Sequence, residues 1–202
     1  MAVLISSCLA FLSLLSISQA ADPNCEDLTK PLVLEDVNPV IGKWIFKEGI
    51  TISPILGNVF KTLNNSWMEF SPSSSKDTLV LHQASSIHGS CRHTNMNITF
   101  NNSTFHASVR NITTVIDLLP SCPDCLTLSF SRQMVNDTLR SLYFLTKERK
   151  GSESGVDTYR KQAVCLELKE EPQFSDDGVT ELCEKTDVSE SEAKPEPEKN
   201  AK

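Results

Sequence analysis

Between Val40 and Phe144 the chain is a succession of short apolar stretches broken by Asn, Ser, Pro, Asp and Gly. IGKWIF, SWMEF, TLVLHQ, MNITF, TFHASV, NITTVIDLL, CLTLSFS and RSLYFLTK recur at spacings that predict successive antiparallel strands. Eight such segments with few helical patterns predict an all-β sandwich or barrel. CLTLSFS is the most legible: Leu126, Leu128 and Phe130 alternate with Cys125, Thr127 and Ser129, the period that puts one row inside and the other in water. RSLYFLTK is nearly continuous apolar, so its pattern does not define which side chains face the core. ISPILGNVFKTL, Ile52 to Leu63, is less strand-like and reads as a helical turn or a loop over one end of the fold.

After Lys147 the texture changes. GSESG reads as a turn, and Val156, Tyr159, Ala163 and Leu166 recur every three or four residues between Val156 and Leu168. That stripe predicts an amphipathic helix packed on something larger, limited downstream by Pro172. Residues 186–202, TDVSESEAKPEPEKNAK, carry almost no apolar side chains and read as a disordered acidic tail.

At the other end, residues 1–20, MAVLISSCLAFLSLLSISQA, are apolar from Val3 to Ile17 and finish in small residues, with Ser18 and Ala20 where a signal peptidase inspects. This reads as a secretory signal peptide rather than a membrane anchor, because the apolar run is short for a span and no basic stop follows it. The remaining 21–185 suits one domain with a real core. Removing the signal peptide removes Cys8 and leaves an even number of cysteines in an oxidising space, where pairing is the default. N-x-[ST] sequons at Asn64, Asn97, Asn101, Asn102, Asn111 and Asn136 point to the same compartment and to surface positions. The formal net charge of −7 makes nucleic acid and anionic membranes poor partners.

Cys122 and Cys125 stand two residues apart in SCPDC, the spacing of a dithiol redox motif, of half a zinc site, or of a disulfide clasp. His82, His88, His93 and His106 have no carboxylate or thiol at ligand spacing, and His82 and His106 look isolated on their strands, so surface histidines are expected rather than a metal site.

Gly42-Lys43-Trp44 places a G-x-W on the first candidate strand. CEDLTKPLVLEDVNPVIGKWIF (Cys25 to Phe46), MEFSPSSSKDTLVLHQ (Met68 to Gln83) and AVCLELKEEPQFSDDGVTELCEK (Ala163 to Lys185) surround it. Together they resemble the lipocalin family, in its orosomucoid or acid-glycoprotein branch. C-x-x-L-T-K-P at Cys25 and C-x-D-C at Cys122 are most similar to the fish saxitoxin- and tetrodotoxin-binding plasma proteins; apolipoprotein M is a more distant likeness.

The resemblance implies an eight-stranded antiparallel up-and-down barrel with one C-terminal helix packed on it, holding a small hydrophobic ligand in its cup. It implies no catalytic residue, no cofactor and no metal, a secreted, extracellular plasma protein without a membrane anchor, and toxins or steroid- or lipid-like molecules among the ligands. Oligomeric state is left open. Carried over residue by residue, it sets Gly42 and Trp44 at the closed base. Phe46, Met68, Leu81, Gln83, Leu128, Phe130 and Phe144 line the cup, joined by Phe105 from the loosely matched stretch between Ser103 and Pro120. It pairs Cys25 with Cys165 and Cys91 with Cys183, which leaves Cys122 with Cys125 as a clasp at the mouth or base. Orosomucoid carries an acidic group where this chain has Gln83 and an arginine where it has Ile87, so a less charged cup is expected. Two other readings compete: an immunomodulatory acute-phase-type glycoprotein acting through its glycans, and a dithiol enzyme using Cys122 and Cys125.

Overall fold

The computed structural model describes residues 24–101, 103–109, 112–133, 138–150, 153–169 and 171–185. The predicted signal peptide, the acidic tail and the sequon residues Asn102, Asn111 and Asn136 lie outside the described residues. Asn64, Asn97 and Asn101 are exposed on strands.

The period-two segments become eight long strands: β1 (Gly42–Thr51), β2 (Leu63–Pro72), β3 (Thr78–Ile87), β4 (Ser90–Asn101), β5 (Thr104–Val109), β6 (Ile112–Leu119), β7 (Cys125–Gln133) and β8 (Thr138–Thr146). Each pairs antiparallel with its sequence neighbour, and β1 pairs with both β2 and β8, which closes the sheet into a barrel without free edges. Among the described residues three α-helices and a 3-10 turn (Asn38–Val40) attend it: α1 (Cys25–Thr29), α2 (Pro54–Phe60) between β1 and β2, and α3 (Glu153–Cys165), followed by a short strand β9 (Phe174–Ser175). Ser53 caps α2 by accepting from the Leu56 amide, and Pro54 starts its first turn. So Ile52 to Leu63 is both helix and loop at the end of the barrel where β1 finishes, with Leu56 and Phe60 packed against the interior cluster.

β1 serves two surfaces because it contains a bulge. Phe46 stands opposite Leu145, but Glu48 opposite Phe144, so Lys47 is an extra residue and the facing reverses beyond it. Trp44 and Phe46 point into the barrel, whereas Glu48 and Ile50 point out beneath α3. There Tyr159 and Ala163, two members of the predicted stripe, pack on Ile50, Leu119, Leu142 and Phe144. Each fully buried large side chain of this set contributes about 1.5–3 kcal/mol. Polar contacts fix the helix: the Tyr159 hydroxyl donates to the Leu142 carbonyl at 3.0 Å, the Gln162 amide to the carbonyls of Leu28 and Pro120 at 2.9 and 2.7 Å, and Arg160 pairs with Glu48 at 2.8 Å.

Disulfides join Cys25 to Cys165, Cys91 to Cys183 and Cys122 to Cys125. The first ties α1 to the end of α3. The second straps the C-terminal segment across the outside of β2, β3 and β4, where the Trp67 indole donates to the Cys183 carbonyl at 2.7 Å and Asn65 to that of Glu181 at 2.8 Å. On the chain-entropy model each long crosslink stabilises by about 4–5 kcal/mol, against about 2 kcal/mol for the four-residue ring.

Candidate functional site: the barrel interior

One end of the barrel is sealed. The segment before β1 crosses it with Leu34, Val37 and Val40 against the interior cluster, and the Trp44 indole donates to the Val40 carbonyl at 2.7 Å. Lys147 lies 3.6 Å from the centre of the Trp44 ring and donates to the Ile41 carbonyl at 3.1 Å. Burial lowers its pKa, opposed by Asp124. Gly42 and Trp44 therefore sit at the end that this segment crosses. The Cys122–Cys125 turn is at this end too, on the outer side, with its sulfur against Gly155 of α3.

Strand register defines the inner wall. Phe46, Met68, Leu81, Phe105, Leu128 and, partly exposed, Phe130 belong to one apolar cluster inside the barrel. Gln83 is on the same face, opposite Met68, and its amide donates weakly to the hydroxyls of Ser66 and Ser85 at 3.4 and 3.3 Å. The half-buried amide thus has partners on its own face of the sheet.

Phe144 is not with them. Cys125 pairs with Thr146 and Leu128 with Tyr143, so on β8 it is Tyr143 and Leu145 that face inward. The Phe144 ring is fully buried on the opposite face, 5.4 Å from that of Tyr159. A nearly continuous apolar strand satisfies two cores at once, and its facing is set by the partner strand. Histidine is a second correction: His82 is buried, 5.2 Å from the Trp67 ring, with its Nε2 3.3 Å from Nδ1 of His93 across β3 and β4. Burial, then His93 and Lys185, lower its pKa, opposed by Glu69.

Three aromatics escaped sequence reasoning. Tyr143 packs 4.3 Å from Phe130 and 4.7 Å from Phe46; Phe60, from α2, is 5.7 Å from Phe46 and 5.5 Å from Tyr143; Phe174, from β9, stacks on Phe46 at 4.7 Å. Phe174 enters because β9 pairs with β1 beyond the bulge, Gly49 opposite Phe174. Gly49 lets the rings converge: a Cβ there would lie 2.5 Å from Phe46 Cζ and 2.8 Å from Phe60 Cε2. Phe60 lay in a helix and Phe174 in a polar stretch, so no periodicity marked them. Burial raises the Tyr143 pKa well above the ordinary tyrosine value, and the residue is half-buried against the interior cluster.

Toward the open end the wall becomes mixed, with Thr51, Ser66, Ser85, Thr94, Thr114 and Ser141 on the inward rows beside Leu63, Ile87, Ile112 and Leu139. Arg92, opposite Ser85, and Arg132, opposite Leu139, are charged where the resemblance led us to expect a less charged cup. Among the described residues, no group of three or more His, Cys, Asp or Glu side chains is arranged to hold a metal, and no helix is long and apolar enough to cross a membrane.

Solved structures share this architecture. The chain is similar to siderocalin Q83, whose structure is described as revealing a dual ligand binding mode, with a TM-score of 0.61, 14% identity, and coverage of 74% of this chain and 96% of that one. It is similar to lipocalin 12 from rat epididymis, with a TM-score of 0.60, 12% identity, and coverage of 72% and 87%. A dog lipocalin allergen aligns with a TM-score of 0.55 and 11% identity over 73% and 99%. No protein-family model and no curated protein matches the sequence. The closed barrel with its C-terminal helix is the lipocalin fold.

Proposed function

We propose that this chain is a secreted, N-glycosylated carrier of the orosomucoid type, holding a small, mostly apolar molecule inside the barrel. The observation that carries the reading is the inner wall of the closed barrel: a base plugged by Trp44, an aromatic layer around Tyr143, and above it inward rows that mix Ser, Thr and Arg with Leu and Ile. Affinity for such a ligand comes chiefly from apolar area leaving water, at about 25 cal/mol per Å², with a few polar groups setting orientation. Steroid- or lipid-like molecules and the marine guanidinium toxins are the classes to try. Secretion and plasma residence are supported by the apolar leader and by three disulfides, and glycosylation by exposed Asn64, Asn97 and Asn101. The dithiol reading draws less support, since Cys122 is bonded to Cys125 and packed against α3.

The test is titration of the purified glycoprotein with a lipophilic, steroid and toxin panel, read by Trp44 fluorescence in a Trp67→Phe background. Saturable quenching or enhancement supports a carrier. Its absence for every class overturns the reading.

A further inference from the structure

The inner wall has a charge pattern that the carrier reading does not use. Register can be followed strand by strand around the barrel, and among the described strand positions that face inward there is no Asp, Glu or Lys. The charges on those rows are Arg92 and Arg132, both at the open end, in a chain whose formal net charge is −7. Lys147, beyond the end of β8, is committed to the base through Trp44 and Ile41.

Arg132 has a further peculiarity. Its Nε is buried and without a hydrogen-bond partner, and no carboxylate among the described residues pairs with its guanidinium. An arginine that merely extends into solvent keeps every N–H in water; a buried, unsatisfied one costs about 1–3 kcal/mol unless an acceptor arrives from elsewhere. Its planar fork matches an oxyanion in a way a lysine ammonium does not. Next to it on the inward row of β7 is Phe130, in contact with Tyr143, whose hydroxyl has no hydrogen-bond partner among the described residues. A cationic rim over an aromatic layer, with no acid on the described inward strand positions, is complementary to one kind of molecule.

We propose that the ligand of this cup is an amphiphile with an oxyanion head, carboxylate or phosphate, gripped by Arg132 at the mouth while its apolar body lies among Phe46, Phe130 and Tyr143. Arg92, exposed at the rim, adds attraction rather than a fixed contact. The inference rests on the carrier reading and specifies the polar end of its ligand.

The experiment compares three fluorescent probes on the glycoprotein: 11-(dansylamino)undecanoic acid, its methyl ester, and the corresponding dansylaminoalkyl phosphate. The acid or the phosphate should bind about tenfold or more tightly than the ester, the better of the two identifying the head. Arg132→Gln should bring the charged probes to the affinity of the ester, Arg132→Lys should restore part of the gap, and Arg92→Gln should narrow it slightly. Circular dichroism and the thermal midpoint establish that each variant is folded. Equal binding of acid, phosphate and ester, or a gap that survives Arg132→Gln in a folded variant, overturns the inference while leaving the carrier reading standing. If no probe binds and the lipophilic panel is also silent, both fall.

Discussion

Two glycines in helices should respond to the same substitution with opposite sign. Replacing Gly155 by alanine places a Cβ 2.3 Å from Cys122 Sγ and 2.7 Å from Phe144 Cζ, where nonbonded heavy atoms ordinarily stay about 3.5–4.0 Å apart. Neither neighbour can yield easily: the sulfur is tethered to Cys125, and the ring is fully buried beneath α3. Overpacking of this kind costs about 1–3 kcal/mol, and the helix propensity of alanine, worth about 1 kcal/mol in a helix interior, returns only part of that in the first turn. The net loss of about 1–2 kcal/mol lowers the thermal midpoint by roughly 3–6 °C in a domain of this size. At Gly57, inside α2, the added Cβ meets only Thr51 Cγ2 at 3.7 Å and Gln173 Cγ at 3.9 Å, which is ordinary contact. There the propensity gain dominates, and the midpoint should rise by roughly 1–3 °C. Thermal unfolding of the oxidised protein by circular dichroism reads both. A Gly155→Ala variant as stable as the parent would mean that the start of α3 does not press on the disulfide turn.

Phe144→Leu should destabilise the protein by roughly 1–2 kcal/mol in urea while leaving the affinity of a cup ligand within about twofold of wild type, because the ring belongs to the helix dock; a selective loss of affinity would return it to the cup. His82 has its folded pKa held below the 6.5 of a free histidine. As pH falls through the range beneath 6.5 the unfolded chain takes up the proton first, so the stability this group contributes is present above that range and lost below it. Urea midpoints from pH 7.5 to 5 should therefore fall less steeply in His82→Asn than in the parent, and parallel slopes would contradict the assignment. Replacing Cys91 and Cys183 together by serine should cost up to about 4–5 kcal/mol. A loss below about 1 kcal/mol would show that the unfolded chain gains little freedom when the strap is cut.

The barrel was legible because its strands alternate. In CLTLSFS the pattern alone placed Leu126, Leu128 and Phe130 inside, but the alternate row is not in water, since Cys125 and Thr127 are buried on the face that meets α3; the stripe of Val156, Tyr159, Ala163 and Leu166 marked that helix, which begins three residues earlier than the stripe. The facing of RSLYFLTK was not legible, for the physical reason that β8 is apolar on both sides: one face lines the barrel and the other receives the helix. The bulge at Lys47 is likewise silent in composition, since nothing in KWIFKEG announces which residue is extra. Phe60 and Phe174 reach the aromatic layer from a helix and a two-residue strand, and such long-range placement has no local signature. The arginines were invisible for a different reason. Arg132 continues the row of Leu126, Leu128 and Phe130, but a charge ends the apolar alternation and reads as an outward residue or the end of the strand; β7 runs on to Gln133 and keeps it on the inward row.

The two long crosslinks interleave: Cys25, Cys91, Cys165 and Cys183 occur in that order along the chain, and the first is bonded to the third, the second to the fourth. Consider a single peptide-bond cleavage anywhere between Cys25 and Cys183. Cut before Cys91, the pieces are still joined through Cys25–Cys165; cut between Cys91 and Cys165, they are joined twice; cut after Cys165, they are joined through Cys91–Cys183. One protease nick therefore opens a loop without releasing a fragment. The nicked molecule should migrate as a single species until a reductant is added, so damage at an exposed turn does not by itself dismantle the barrel.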